Sequence, residues 1–343
     1  MSLRVAVVGA TGAVGTVMLR LLAERDFPSS EVVPFASERS TGRVLAGGLV
    51  VDALTDESIR GFDVALFSAG ATRSREWARR FVDAGAVVVD NSSAFRMDDD
   101  VPLVVSEVNP EALDSHSGIV ANPNCTTMVA MLPLKALHDE FDLRAIVPTS
   151  FQAAGGAGQK GIDELAGQIG PLAADVTQLC EDGATAAAKV SHSVHAATLA
   201  FNAVPLLGAV GEEGYTDEEL KLRNESRKIL GIPDLAVSPT CVRVPVMVGH
   251  GVQTRATFAR EVDLDRALEV LRAFPGLVVD DVPTPLEYAG RDEVAVGRIR
   301  RDLSDPFTLN FFVVGDNLLK GAALNTVQLA EALHARGLIG ARV

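Results

Sequence analysis

The sequence predicts an α/β fold: a doubly wound parallel sheet, followed by a second domain of α+β type. Three observations carry this. From residue 3 to residue 140, short β-branched runs alternate with helical patterns at the spacing of parallel strands and crossover helices. A glycine-rich turn, Gly9-Ala10-Thr11-Gly12-Ala13-Val14-Gly15, joins the first run to the first helix. Beyond Phe141 the pattern changes, and a length of 343 residues with 48% hydrophobic content suits two cores rather than one.

Residues 3–8 read as a buried strand, and residues 14–24 as a helix with Val14, Val17, Met18, Leu21 and Leu22 on one face. Glycines at such a turn let the backbone approach a pyrophosphate, whose charge the helix N-terminus stabilises. The spacing G-x-x-G-x-x-G departs from the G-x-G-x-x-G fingerprint, but the strand before it and the helix after it mark a Rossmann-like nucleotide site. A second strand, residues 31–36, leads into Ser37-Glu38-Arg39-Ser40-Thr41-Gly42. There the fingerprint places an acid for a ribose 2′-hydroxyl or a cation for a 2′-phosphate. Hydroxyls and Arg39 crowd the position, with Glu38 among them, so NADP is expected over NAD.

Two further strands, residues 63–68 and 86–90, flank a helix over 74–84. Ser68-Ala69-Gly70 and Asn91-Ser92-Ser93 fall at strand ends, the edge at which such sheets hold ligands. Arg96 then faces either an anion there or the acidic run Asp98-Asp99-Asp100 as a surface ion pair. The run Gly118-Ile119-Val120 feeds Ala121-Asn122-Pro123-Asn124-Cys125-Thr126-Thr127-Met128, which delivers a thiol to the start of a helix over 126–140. Unpaired N–H groups and the positive end of the helix dipole shift such a thiol toward thiolate, so Cys125 is a candidate nucleophile; the alternative is a small buried hydrophobe. Pro133 is expected to kink or end that helix, and the domain boundary is placed at 126–128.

In the second half, a strand over 143–151 carries Gln152 into a glycine-rich turn containing Gly155 and Gly156. Residues 184–200 are expected to be ordered and carry no functional signal. Residues 217–230 read as a helix capped by Thr216, with Glu218, Glu219 and Lys221 near its start. Strand-like stretches over 240–248 and 252–259 surround Arg243 and His250; bracketed by Gly249 and Gly251, the histidine reads as an exposed turn residue able to meet a ligand. A strand over 307–314, a turn at Gly315-Asp316-Asn317 and a helix over 322–336 complete the chain.

The net charge of −14, with no basic run, argues against nucleic acid as a partner. No stretch reaches the ~18 apolar residues of a membrane helix, and the opening run meets glycine too early for a signal peptide, so a cytoplasmic protein without membrane association is expected. Cys125, Cys180 and Cys241 are too scattered for a disulfide framework or a metal cluster, and no metal is expected.

With these pieces in place, the sequence resembles the aspartate-semialdehyde dehydrogenases nearly end to end. The resemblance is carried by GATGAVG at 9–15, ASERSTG at 36–42, NSSAFRMDDDVPLVVSEVN at 91–109, ANPNCTT at 121–127, FQAAGGAGQKG at 151–161, EELKLRNESRKI at 218–229, CVRVPVMVGH at 241–250 and GDNLLKGAALNTVQLAE at 315–331. It implies NADP-dependent, reversible reductive dephosphorylation of L-aspartyl 4-phosphate to L-aspartate 4-semialdehyde, on the route to diaminopimelate, lysine, methionine and threonine. It also implies roles. Cys125 forms a thioester, His250 is the acid/base and Gln152 orients substrate. Arg243 binds the substrate carboxylate, and Glu218, or else Glu219, its amine. Arg96, Lys221 and Asn124 hold phosphate. Gly9, Thr11, Gly12, Ala13, Val14, Ser37, Arg39, Ser40, Gly155, Gly156 and Asn317 match cofactor contacts. The implied domains are an NADP-binding one over 1–127, completed by a C-terminal helix over 322–343, and a catalytic and dimerisation one over 128–321. The expected partners are a small-molecule substrate and inorganic phosphate, in a homodimer or dimer of dimers. Ser106 stands where the family usually has proline, and the family also varies at the Gly155-Gly156 pair. The competing readings are an N-acetyl-γ-glutamyl-phosphate reductase and a non-catalytic paralogue acting as a binding module.

Overall fold

The computed structural model describes residues 2–339. They divide into two units: unit 1 takes residues up to 128, 225–232 and from 318 on, and unit 2 takes 129–224 and 233–317.

Unit 1 is the expected α/β layer. Its strands β1 (Leu3–Val8), β2 (Ser29–Phe35), β3 (Val64–Phe67), β4 (Val87–Asp90) and β5 (Ile119–Ala121) form one sheet in the order β2-β1-β3-β4-β5, every pair parallel. Helices α1 (Ala13–Glu24) and α2 (Ala71–Asp83) are the crossovers. Apolar residues on α1 and the sheet pack with Leu324, Val327, Leu329 and Leu333 of a C-terminal helix, so residues distant in sequence share one core. That helix runs Leu324–Ala335, after a single wide turn at Leu319–Ala323, and so falls within the 322–336 expected for it. Gly337, in the left-handed region at φ 71°, follows its end. Residues 340–343 lie outside the described residues.

The strand order reverses between β1 and β3, which in doubly wound sheets is where ligands sit. Gly9 stands there with φ 91°, and a β-carbon on it would collide with the Ser68 carbonyl, so only glycine permits the two strand ends to approach this closely.

Helix α3 (Cys125–Phe141) runs unbroken through Pro133, contrary to the expected kink or break. Met128 to Leu132, Leu134 and Leu137 are all essentially buried around it, and that burial outweighs one missing backbone hydrogen bond.

Unit 2 is α+β. Strand β6 (Leu143–Gln152) is followed by α4 (Gln159–Ala173), the short α5 (Val176–Glu181) and α6 (Gly183–Ala187), and α7 (Asp217–Leu230), whose end from 225 counts with unit 1. Then come β7 (Ala236–Val237), β8 (Thr240–Arg243), β9 (His250–Phe258), α8 (Leu264–Ala273), β10 (Leu277–Val279), α9 (Pro285–Tyr288), β11 (Val294–Arg301) and β12 (Thr308–Gly315). The mixed sheet runs β10-β11-β12-β9-β6-β7, with β8 also on β6. The alanine-rich segment packs Ala186, Leu199 and Ala200 against Leu165 and Leu172 of α4, a small core of its own. Among the described residues no helix is long and apolar enough to cross a membrane.

Candidate active site

The sequence-predicted residues fall into two clusters, one in each unit. In unit 1, β5 ends just before Asn122-Pro123-Asn124, and Asn124 is the cap that starts α3. Its Oδ1 accepts the backbone N–H of Thr126 at 2.9 Å and of Thr127 at 3.3 Å. Cys125 is thereby the first helical residue, half-buried, where the helix dipole favours thiolate. The other two thiols lack that address: Cys180 is exposed, and burial pushes Cys241 up to about 12.

The backbone N–H of Asn124 donates to Glu225 Oε2 at 2.6 Å, and Glu225 Oε1 accepts from Arg96 Nη1 at 3.0 Å. Arg96 Nε donates to Asn122 O and its Nη2 to Asn91 O, both at 2.9 Å. With only 8% of its surface exposed and its guanidinium paired with Glu225, Arg96 is not a surface partner of the acidic run. Lys228 Nζ donates to the carbonyls of Arg96, Asp98 and Val101 at 3.0, 2.8 and 2.8 Å and so pins the loop that carries Arg96.

Sequence reasoning missed Glu225 and Lys228. The signal was present: Glu218, Lys221, Glu225 and Lys228 recur at spacings of three, four and three residues, one stripe of a helix.

Also in unit 1, Gly9 and Ala10 both donate to Phe35 O, at 2.8 and 3.0 Å, placing the glycine turn beside the end of β2. Gly12, at the start of α1, makes no side-chain cap, and the first turn holds no acid; this arrangement fits a dinucleotide pyrophosphate. Beyond β2, Ser37, Glu38 and Arg39 are exposed, and Ser37 Oγ lies 3.5 Å from Ser40 Oγ.

In unit 2, strand register gathers the candidates. Gln152 pairs with Arg243 across β6 and β8, and Phe151 pairs with Gly251 across β6 and β9, so Gln152, Arg243 and His250 share one edge. Ala153 then orients two of them: its N–H donates to His250 Nδ1 at 3.1 Å, and its carbonyl accepts Arg243 Nη1 at 2.6 Å. Asn317 Oδ1 accepts the Gly249 N–H at 2.9 Å, steadying the residue before the histidine. Gln152 Nε2 donates to Glu218 Oε1 at 3.2 Å, and Lys221 Nζ donates to Glu218 Oε2 at 3.2 Å.

Glu219 is otherwise engaged. It forms a reciprocal capping box with Thr216, at 2.8 and 3.3 Å, and accepts the Cys241 N–H at 3.0 Å. Glu218, not Glu219, is therefore the glutamate beside Gln152.

His250 departs from expectation. It opens β9 and is fully buried, not an exposed turn residue. Burial, helped by the neighbouring Arg243 and opposed by Glu218, pushes its imidazole down to about 3, so it is neutral at neutral pH rather than half-protonated. Because Nδ1 accepts a hydrogen bond, the ring proton is assigned to Nε2.

Gly155 donates to Met247 O at 2.9 Å, and a β-carbon on Gly156 would lie 2.6 Å from Arg243 Nη1 and 3.2 Å from His250 Nε2. Gly156→Ala is therefore expected to displace Arg243 and lower kcat/KM by about 100-fold, the typical cost of misplacing a reactive group by ~1 Å, with the melting temperature changed little. Steady-state kinetics beside a thermal melt check this; unaltered kinetics would show that Arg243 accommodates the methyl.

Comparison with known proteins bears on these clusters. Residues 4–116 match the family described as "Semialdehyde dehydrogenase, NAD binding domain", and residues 134–320 match "Semialdehyde dehydrogenase, dimerisation domain". The aspartate-semialdehyde dehydrogenase of Streptomyces akiyoshiensis is 52% identical over 336 residues, 97% of this chain and 99% of that protein. Among solved structures, aspartate semialdehyde dehydrogenase II of Vibrio cholerae, complexed with ASA, superposes with a TM-score of 0.90 at 40% identity, covering 98% of this chain and 99% of that one. The Candida albicans enzyme with NADP gives 0.74 at 26% identity, covering 99% of this chain and all (100%) of that one.

Proposed function

Since the chain belongs to the aspartate-semialdehyde dehydrogenase family, an oxidoreductase family of amino-acid biosynthesis with an NAD(P)-binding domain, we propose that it catalyses the NADP-dependent, reversible reductive dephosphorylation of L-aspartyl 4-phosphate to L-aspartate 4-semialdehyde. The pathway served is that of lysine, methionine and threonine. The observation that carries this reading is the placement of Cys125 at the first position of α3, with Arg96 and Asn124 tied into the same network.

In this reading the Cys125 thiolate attacks the acyl-phosphate carbon. The carbon–oxygen bond to phosphate breaks, phosphate leaves, and a thioester remains on the enzyme. Arg96, Asn124 and Lys221 hold the phosphate, with guanidinium and ammonium offsetting its charge. Arg243 holds the substrate carboxylate, Glu218 its amine, and Gln152 orients the carbonyl. His250 keeps its proton on Nε2, where it can donate a hydrogen bond to the oxygen on which charge develops.

The turn Gly9-Ala10-Thr11-Gly12-Ala13-Val14 would hold the pyrophosphate, and Ser37, Arg39 and Ser40 a ribose 2′-phosphate. Gly155, Gly156 and Asn317 would complete the contacts. NADP bound there supplies the two-electron redox partner for thioester and aldehyde. The dimerisation-domain match supports oligomerisation, and a homodimer or dimer of dimers in the cytoplasm completes the proposal.

The test is phosphate-dependent reduction of NADP by aspartate semialdehyde on purified protein, with and without thiol alkylation. Turnover confined to the N-acetylglutamyl semialdehyde would replace this reading with the reductase of that substrate. A clear preference for NAD over NADP would remove the role given to Arg39.

A further inference from the structure

One buried carboxylate in unit 1 has no place in the chemistry just described. Glu225 is 1% exposed and divides its two oxygens: Oε1 takes Arg96 Nη1 at 3.0 Å, and Oε2 takes the backbone N–H of Asn124 at 2.6 Å. A charge-assisted bond to that N–H fixes the Pro123–Asn124 peptide, one residue before Cys125, and the Asn124 side-chain cap fixes the turn that follows. The same carboxylate fixes the guanidinium from one face, while Asn122 O and Asn91 O fix it from the others.

We propose that Glu225 is a positioning residue: one carboxylate sets, relative to each other, the turn that presents the Cys125 thiol and the Arg96 guanidinium, without itself touching substrate. The inference rests on the reading above, in which Cys125 attacks an acyl phosphate and Arg96 holds the phosphate. Carboxylate geometry is required because both groups it meets are donors. An amide would offer one oxygen and one N–H₂, leaving either Arg96 or Asn124 facing another donor.

The experiment uses the full chain with Glu225→Gln and Glu225→Asp, assayed for semialdehyde- and phosphate-dependent reduction of NADP. Alkylation of Cys125 by iodoacetamide is followed by peptide mass spectrometry, with exposed Cys180 as internal control. For Glu225→Gln the expected result is a kcat lowered by about 10- to 100-fold and a KM for phosphate raised by about tenfold, with the KM for semialdehyde within about twofold of the parent. Cys125 should remain alkylated faster than Cys180. Glu225→Asp keeps both acceptors and the charge, and should fall between parent and Glu225→Gln on kcat and phosphate KM.

Parent-like kinetics in both variants would overturn the proposal. So would a parallel rise in both KM values with Cys125 alkylated no faster than Cys180, which would mean that the helix start had simply come apart. If Glu225→Gln does not fold, Glu225→Asp alone decides: a phosphate KM raised severalfold with an unchanged semialdehyde KM supports positioning, and equal changes refute it. A parent protein with no phosphate-dependent turnover would instead overturn the underlying function, which keeps the two failures distinct.

Discussion

Cys125→Ala is expected to lower turnover by about 10⁴-fold or more while leaving NADP affinity within about twofold, because removing a covalent nucleophile takes away the step that the remaining groups only assist. The structure makes this a test of one thiol among three. Cys241 is buried and held at about 12, so it offers no thiolate at neutral pH. Cys180, on the short helix α5, is exposed and lacks the capped helix start that Asn124 gives Cys125. Titration of NADP binding by fluorescence, beside single-turnover assays with aspartyl phosphate, would separate the two quantities. Retention of more than about one part in a hundred of the parent rate would remove Cys125 as nucleophile.

The second large effect concerns stability. Lys320 is 1% exposed, and its ammonium donates to Ser106 Oγ at 3.1 Å, Asn325 Oδ1 at 3.0 Å and Gln328 Oε1 at 2.8 Å, besides pairing with the Glu107 carboxylate. Asn325 passes the network on to Asn122 at 2.7 Å, and Asn122 to Asn91 at 2.7 Å, the residues that brace Arg96. Lys320→Met leaves Glu107 buried without its cation and is expected to cost about 3–5 kcal/mol in denaturant unfolding. Adding Glu107→Met should recover most of that, since burying two apolar groups avoids the desolvation of two charges.

Burial alone would raise the Glu107 carboxyl, but Lys320 and its other hydrogen bonds hold it below the ordinary range. In the parent, the stabilisation is therefore present above the unfolded carboxyl pKa and is lost as pH falls through the folded one. In Lys320→Met, burial acts unopposed by that cation, so the deficit relative to the parent should narrow as pH falls. A deficit under about 1 kcal/mol at neutral pH would mean that the site relaxes and hydrates.

Several features were legible along the chain because their causes are local. β1, α1 and the glycine turn announce themselves through hydrophobic period and backbone freedom, and α7 with its Thr216 cap through helix-start chemistry. Other features were not legible, and each for a physical reason. A histidine between glycines looks mobile until β9 pairs with β6 and closes it off from water. A proline inside α3 looks like a break until the burial around it is known. The strands β10 and β11 went unrecognised because β10 has only three residues, too few to show a period, and β11 shifts register between Gly297 and Arg300.

What the sequence determined by itself was the class of fold and the identity of Cys125, Gln152, Arg243 and His250 as the residues to watch, since periodicity, turn chemistry and long ordered motifs are properties of neighbours in the chain. Only the tertiary structure decided that His250 is buried and neutral, that Glu218 rather than Glu219 stands beside Gln152, and that Glu225 joins Arg96 to the cap of Cys125. These are matters of burial and of hydrogen bonds between residues as much as 129 positions apart, and no local pattern encodes them.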